Sequence, residues 1–140
     1  MRSIMIVANQ TAGGMHLRDL MRQRVQSGPC RFTLLVPAVA PEDRSFWTDD
    51  EAVALAQRRL DQALRYLGDI DVDVKGVVGD GNVILAINDL LLRESFDEIV
   101  LSTLPSGLSR WLKQDLPHRV SRRFAIPVTH ISTDRDLIRT

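Results

Sequence analysis

The chain has 140 residues and a formal net charge of zero at pH 7, with 44% hydrophobic and 26% charged residues. This length predicts one domain with a substantial core, and the neutral charge gives no global attraction to nucleic acid or to an anionic membrane. The single cysteine, Cys30, excludes an internal disulfide and favours a cytoplasmic location. No apolar run approaches the roughly 20 residues of a membrane-spanning helix, and the first ten residues become polar too soon for a secretion signal.

The amino-terminal half alternates apolar runs with amphipathic segments. Residues 3–9 read as a buried strand, and residues 15–26 follow the "QTAGG" turn as a helix. Residues 31–39 predict a second strand, and residues 52–67 the clearest helix of the chain, ending at Gly68. The predicted core stripe of that helix, which Thr48, Asp49 or Asp50 is expected to cap, consists of Val53, Ala56, Leu60, Ala63, Leu64 and Leu67.

The carboxyl-terminal half continues the alternation. Strands are predicted at residues 72–78 and 98–101 and in "AIPVTHIS", and helices at residues 83–93, 108–112 and 116–124, with Asp115 expected to cap the last. Residues 1–132 therefore form one domain, and residues 133–140 form a charged tail. The order predicts a three-layer α/β sandwich around a parallel sheet, with ligands bound beyond the carboxyl ends of the strands.

An ordered set of short motifs lies between residues 76 and 131. Its members are Gly79-Asp80, the strand "DEIVLST", "SGLSR" at residues 106–110, Arg119-Val120 and Pro127-Val128. This set resembles the universal stress protein family, and residues 3–40 resemble it more weakly. The resemblance implies the adenine nucleotide alpha hydrolase-like fold, a five-stranded parallel sheet in the order 3-2-1-4-5. It also implies a non-catalytic stress-response binding or regulatory module, and a homodimer that buries Val128 and His130 along the last strand.

The phosphate motif of that family, Gly-x-x-Gly-x9-Gly-Ser/Thr, is altered throughout this chain. Ser102 and Pro105 stand in place of the first two glycines, the next spacer has eight residues, and Gln114-Asp115 replaces the final Gly-Ser. Pro105 has no amide hydrogen for a phosphate, and the Asp115 carboxylate adds negative charge at a helix start. Asn9 occupies the position of the aspartate that faces adenine in the ATP-binding members. The resemblance thus implies a protein that does not bind ATP in the usual way.

A ligand cleft is still expected between the first and fourth strands. Its predicted lining is Asn9, Thr11, Gly13, Ser102, Ser106, Gly107 and Arg110. One alternative is that the chain binds ATP with Mg²⁺, or AMP, through residues 9–14 and 102–110, and another is that the glycines of "NQTAGG" only serve a turn with positive φ. A third function, a small hydrolase of nucleotide-like substrates, would draw on Ser109, Asp115 and His118, but no acid–base pair is evident. The histidines have no metal-ligand spacing, so no metal is expected.

Overall fold

The computed structural model of the protein describes residues 1–39, 47–68, 72–105 and 109–132. All the strands of this part of the chain lie in one parallel sheet with the order β3-β2-β1-β4-β5. The strands are β1 (Arg2–Val7), β2 (Cys30–Pro37), β3 (Asp73–Gly79), β4 (Glu98–Thr103) and β5 (Val128–Ser132). The predicted fold class and strand order are therefore confirmed.

Helices connect the strands and cover the sheet. They are α1 (Met15–Gln26), α2 (Asp49–Leu67), α3 (Val83–Leu91), α4 (Arg110–Lys113) and α5 (Leu116–Arg123). Helix α2 begins three residues before its predicted start, because Thr48 and Glu51 form a reciprocal capping box at its amino end. Helix α3 ends at Leu91 rather than residue 93, and α4 is a single turn.

Two apolar cores lie on opposite faces of the sheet. Helices α1 and α2 pack on one face through residues such as Leu17, Met21 and Leu60, together with Ile4 and Ile6 of β1. On the other face, α3, α4 and α5 pack against the alternate side chains of the same strands; this core includes Met5, Val7, Ile87, Leu101, Trp111 and Val120. Because β1 is covered on both faces, it reads as a continuous apolar run in the sequence.

The core stripe of α2 differs from the prediction at its start. Val53 is 47% exposed, whereas its neighbour Ala52 is only 5% exposed. The buried positions are Ala52, Ala56, Leu60, Ala63 and Leu67, spaced four, four, three and four residues apart. Placing Val53 in the core was therefore wrong, because this spacing puts residue 53 on the neighbouring, solvent-facing side of the helix.

Glycine allows α2 to lie close to the edge strand β3. A Cβ atom at Gly76 would overlap the Leu60 side chain, and one at Gly79 would lie 2.9 Å from the Cβ of Ala86 on α3. Real Cβ atoms do not approach other atoms so closely, so a larger residue at either position would push a helix away from the sheet.

Asp115 does not cap α5 as the sequence predicted. Its side chain makes no capping hydrogen bond, and its backbone is left-handed, with φ of 57°. The carboxylate instead lies 3.4 Å from Nδ1 of His118 on the surface. A cap residue needs an extended backbone to aim its oxygen at the next amides, and the left-handed link from α4 to α5 turns the Asp115 oxygen away.

Candidate functional site

The crevice of the sheet lies beyond the carboxyl ends of β1 and β4. The strand order reverses here, because β1 is followed by β2 on one side and is paired with β4 on the other. In parallel α/β sheets this switch point is where ligands bind. Two segments meet there, the turn after β1 at residues 9–14 and the end of β4 at Ser102 and Thr103.

A buried hydrogen-bond network closes the floor of this crevice. The Ser102 and Thr11 hydroxyl oxygens are 2.6 Å apart, and Nε2 of His16 lies 2.7 Å from the same Ser102 oxygen. Ser102 is 1% exposed and Thr11 6% exposed. A serine hydroxyl has one hydrogen to donate and two lone pairs, so Ser102 can satisfy both neighbours at once. The three side chains thereby tie β4, the turn and the first turn of α1 together.

Asn9 is also engaged with protein groups. Its side-chain NH₂ donates to the Pro37 carbonyl oxygen at the end of β2, and its side-chain oxygen accepts a hydrogen bond from the Arg59 guanidinium of α2. Both polar ends of the amide are thus used within the chain. Asn9 lies in the crevice as predicted, but a ligand would have to compete with Pro37 and Arg59 for its hydrogen bonds.

The turn at residues 9–14 does not need its glycines for backbone conformation. The amide of Ala12 donates to the Asn9 carbonyl, and the amide of Gly14 donates to the Thr11 carbonyl, at 3.3 and 3.1 Å. In the described residues Gly28 alone among glycines has a positive φ, so the prediction of positive φ in this turn was wrong. A Cβ atom at Gly13 would meet nothing within 4 Å. Gly13 is exposed, and the structure would therefore also accommodate a side chain at this position.

The other predicted cleft residues lie on or near α4. Ser106 and Gly107 fall outside the described residues, and Arg110 is the half-buried first residue of α4. Ser109 is 3% exposed, and its hydroxyl accepts the Leu112 amide at 3.1 Å as the helix cap. Trp111 packs in the core on the α5 face and does not cover the crevice.

The structure gives no support to the hydrolase alternative. Ser109 is occupied as a helix cap, whereas Asp115 and His118 pair with each other at the surface, with side chains 65% and 63% exposed. A nucleophilic serine requires a base within hydrogen-bond reach and an accessible oxygen. His16 does approach a serine, but that serine, Ser102, is buried.

Residues 1–39, 47–68, 72–105 and 109–132 contain no cluster of side chains able to hold a metal ion. None of the helices described has the length and apolar character to cross a membrane.

A second polar cluster lies at the opposite, amino end of β4. Glu98 is 4% exposed, accepts two hydrogen bonds from the Arg24 guanidinium at 3.1 and 2.9 Å, and accepts one from Thr129 at 2.6 Å. A guanidinium nitrogen of Arg2 lies 3.4 Å from one carboxylate oxygen of Glu98. Burial alone would raise the pKa of Glu98, but these hydrogen bonds and the charges of Arg24 and Arg2 outweigh it and hold the pKa below its usual value.

The outer strand β5 carries the two residues predicted for a dimer edge. Val128 is half-buried against the α5-side core, and Nε2 of His130 lies 2.8 Å from the Thr103 hydroxyl oxygen. Residue His130 as a whole is exposed, yet partial burial of its ring lowers the pKa of the imidazole. Both residues therefore lie on the α5 side of the sheet.

His16, Arg59 and Glu98 were not among the predicted site residues. His16 could have been suspected, because it lies two residues after Gly14 at the start of a helix that opens at the carboxyl end of β1. Arg59 lies mid-helix, and no sequence signal distinguishes it from the other exposed arginines of α2.

These features define an α/β chain with a switch-point crevice, and solved structures of the same architecture exist. No protein-family model and no curated protein sequence matches the chain. A universal stress protein in complex with cAMP superposes with a TM-score of 0.57 at 17% identity, over 95% of this chain and 98% of the other. A universal stress protein from Archaeoglobus fulgidus superposes with a TM-score of 0.62 at 16% identity, over 94% and 98% of the two chains. The protein has the universal stress protein fold.

Proposed function

We propose that this protein is a member of the universal stress protein family that acts as a non-catalytic binding or regulatory module and does not bind ATP in the family's usual way. The observation that carries the proposal is the buried network of Thr11, Ser102 and His16 in the crevice. The cytoplasm is its expected location, since the described chain has one cysteine, Cys30, which is a free, buried thiol.

The network supports this proposal in two ways, because it fills space in the crevice and because its polar groups already hydrogen-bond to one another. Where the family's motif has a glycine, the Ser102 side chain extends toward Thr11 and His16 and takes up the donors that would face a phosphate. Pro105 offers no amide hydrogen. Displacing the network would leave buried hydroxyls without partners, at a cost of about 1–3 kcal/mol for each unsatisfied group.

Calorimetric titration with ATP and Mg²⁺ tests the proposal. We expect no binding tighter than about 1 mM, a binding free energy of roughly −4 kcal/mol. The matched variant Ser102→Gly removes the side chain at the centre of the network, and Gln23→Ala on the exposed far end of α1 serves as the control. Wild-type binding at or below about 100 μM would contradict the proposal, because the crevice would then accept nucleotide as it stands.

A second candidate function is the binding of a nucleotide-like ligand without the phosphate motif. It is favoured by the solved neighbour that is in complex with cAMP, and by the open space around Gly13. Such a ligand would lie against residues 9–14 and the segment 102–110. Thermal-shift titration with cAMP, AMP and ATP plus Mg²⁺ would show stabilisation that Gly13→Leu abolishes and Gln23→Leu preserves. Equal responses of the two variants would place the ligand elsewhere.

The proposal includes a homodimer that forms along β5. Both outer strands of the sheet, β3 and β5, have an unpaired edge in the described residues. Strand β3 carries Asp73 and Lys75, which pair with Arg31 and Glu94 and so place charges along that edge. Strand β5, with the sequence VTHIS, has no side chain that is charged at neutral pH when its histidine is neutral. Charged side chains protect edges from pairing, so β5 is the edge suited to a second copy.

A further inference from the structure

The backbone of β5 points alternate residues toward β4 and toward the open edge. The Ile99 amide donates to the Pro127 carbonyl at 2.9 Å, so the Pro127 carbonyl faces β4. In a parallel ladder, every second residue faces the same neighbour, which directs Thr129 and Ile131 inward as well. The amide and carbonyl groups of Val128 and His130 therefore face away from β4, and His130 is the middle residue of the strand.

This alternation permits a symmetric pair centred on His130, the register that overlaps the two β5 strands along their full length. A twofold axis relates identical residues, so one residue of an antiparallel pair of β5 strands must lie opposite its own copy. With His130 at the axis, it exchanges two hydrogen bonds with its copy, and Val128 lies opposite Ser132 of the second chain on both sides. The outward amide and carbonyl of His130 are then satisfied. The facing Cα atoms lie about 5.5 Å apart, as in hydrogen-bonded antiparallel pairs.

We infer that β5 is a proton-controlled self-association edge, in which two copies pair antiparallel about His130 and protonation of the two facing imidazoles separates them. The inference rests on the proposed dimer and adds its regulation. Because the axis is perpendicular to the sheet, both imidazoles lie on the same face, the one covered by α5. Like charges directly opposite each other on one sheet face are destabilising.

Within residues 1–39, 47–68, 72–105 and 109–132, no acidic side chain pairs with His130 to offset that charge. On the α5 side of β4, the neighbouring side chains are Ile99, Leu101 and Thr103, none of which ionises in this range. Helix α5 also packs on β5, and the exposed arginines that it carries after Asp115 are Arg119, Arg122 and Arg123. The Asp115 carboxylate is engaged with His118. Protonation of His130 therefore adds positive charge to a face of the sheet on which α5 already carries arginines.

The direction of the effect follows from the lowered pKa of His130 in the single chain. A partner strand adds burial and a facing imidazole, both of which favour the neutral form further. The separated chains therefore bind more protons than the pair, and the pair weakens as pH falls through the titration range of His130 in the separated chain, which lies below the ordinary histidine value of about 6.5. If pairing lowers each of the two pKa values by about one unit, the dissociation constant rises up to roughly 100-fold at low pH.

Sedimentation equilibrium of the full chain at pH 7.5 and pH 5.5 tests the inference. We expect a dimer at pH 7.5 and a dissociation constant roughly 10-fold higher at pH 5.5. His130→Gln keeps a group able to hydrogen-bond to Thr103 and should give the same constant at both pH values. His118→Gln is the matched control on the adjacent surface and should keep the full pH dependence. His130→Pro removes the outward amide and should give a monomer without loss of the β4 ladder.

The outcomes separate the dimer from its regulation. A wild-type monomer at pH 7.5 would overturn both, whereas an equally tight dimer at both pH values would leave the dimer standing and refute the proton control. Persistent pH dependence in His130→Gln would likewise refute it. The register has its own test in a Cys30→Ala background, where His130→Cys should form a disulfide-linked dimer under oxidation. Ser132→Cys should not, because two Ser132 residues would lie about 13 Å apart; the opposite pattern would refute pairing about His130.

Discussion

Replacing Glu98 with glutamine should lower stability more than any other single loss of charge among the residues described. Glu98 is the point where four segments of the chain meet, since Arg2, Arg24 and Thr129 all approach its carboxylate from β1, α1 and β5. Glutamine keeps the shape and one acceptor oxygen. Its NH₂ group, however, must replace one of two oxygens that both accept from the Arg24 guanidinium, so in either orientation one close contact becomes donor against donor.

The size of the effect can be worked out from the contacts. The two hydrogen bonds between Arg24 and Glu98 are charge-assisted, and each contributes about 1.5 kcal/mol or more. Water recovers part of this loss, because the Arg24 side chain is 24% exposed and Arg2 is 50% exposed. A net loss of about 2 kcal/mol remains, which corresponds to a fall in Tm of roughly 4–8 °C for a domain of this size.

Urea unfolding at pH 7 of the wild type, Glu98→Gln and Glu94→Gln measures this difference. Glu94 pairs with Lys75 at 2.8 Å, but their side chains are 32% and 53% exposed, so its loss should cost about 0.5 kcal/mol or less. Because the folded pKa of Glu98 is lowered, its stabilisation is complete above the ordinary value of about 4.5 and is lost as pH falls through the folded pKa. The gap between wild type and Glu98→Gln should therefore close in strong acid.

Equal, small effects of the two glutamate variants at pH 7 would refute the reasoning. They would mean that Arg24 and Arg2 hydrate in the variant and that Glu98 gains nothing from its burial among them. A gap that widens as the pH falls would contradict the sign of the pKa shift.

Four further changes test local features of the fold by thermal or urea unfolding. Gly76→Ala should cost about 1–3 kcal/mol because the new methyl group overlaps the Leu60 side chain, whereas Gly13→Ala meets open space and should leave Tm nearly unchanged. Thr48→Ala removes the cap of α2 and should cost about 1 kcal/mol; no change would mean that another group caps the helix. Asp115→Gly should preserve or raise stability by up to about 1 kcal/mol, because glycine adopts the left-handed backbone freely; a clear loss would show that the ion pair with His118 outweighs the strain.

The sequence predicts β1, β2 and β4 well because each contains a short apolar run with polar residues after it. Continuous burial of β1 and β4 on both faces produces that signal directly. Their order came from the resemblance of ordered motifs, since alternation alone fixes parallel pairing but not which strands are neighbours. The start of α2 was misplaced because its acidic first turn reads as a loop, although acidic residues stabilise a helix amino end.

The candidate site could be located from the sequence, but its contacts could not. The rule that ligands bind beyond the carboxyl ends of strands predicted Asn9, Thr11 and Ser102 as cleft residues, and the structure places all three at that end of the sheet. The partners His16 and Arg59 come from helices, and whether a helical side chain reaches the crevice depends on the rotation and tilt of the helix against the sheet. Hydrophobic periodicity defines the buried face of a helix only to within about a quarter turn, which is too coarse to identify a single hydrogen bond.

On the side of β4 that faces α1 lie three buried side chains in order along the strand: the acid Glu98, the apolar Val100 and the hydroxyl residue Ser102. A strand can slip by two residues against its neighbour and still present the same side chains to the same face, so an apolar pattern alone does not forbid that error. In this strand a slip would carry Glu98 to the level of Ile6, away from Arg24 and into the apolar core, or would place Val100 among the arginines. An unpaired buried carboxylate costs several kcal/mol. The polar residues at the two ends of β4, Glu98 and Ser102, thus permit only one register of β4 against β1.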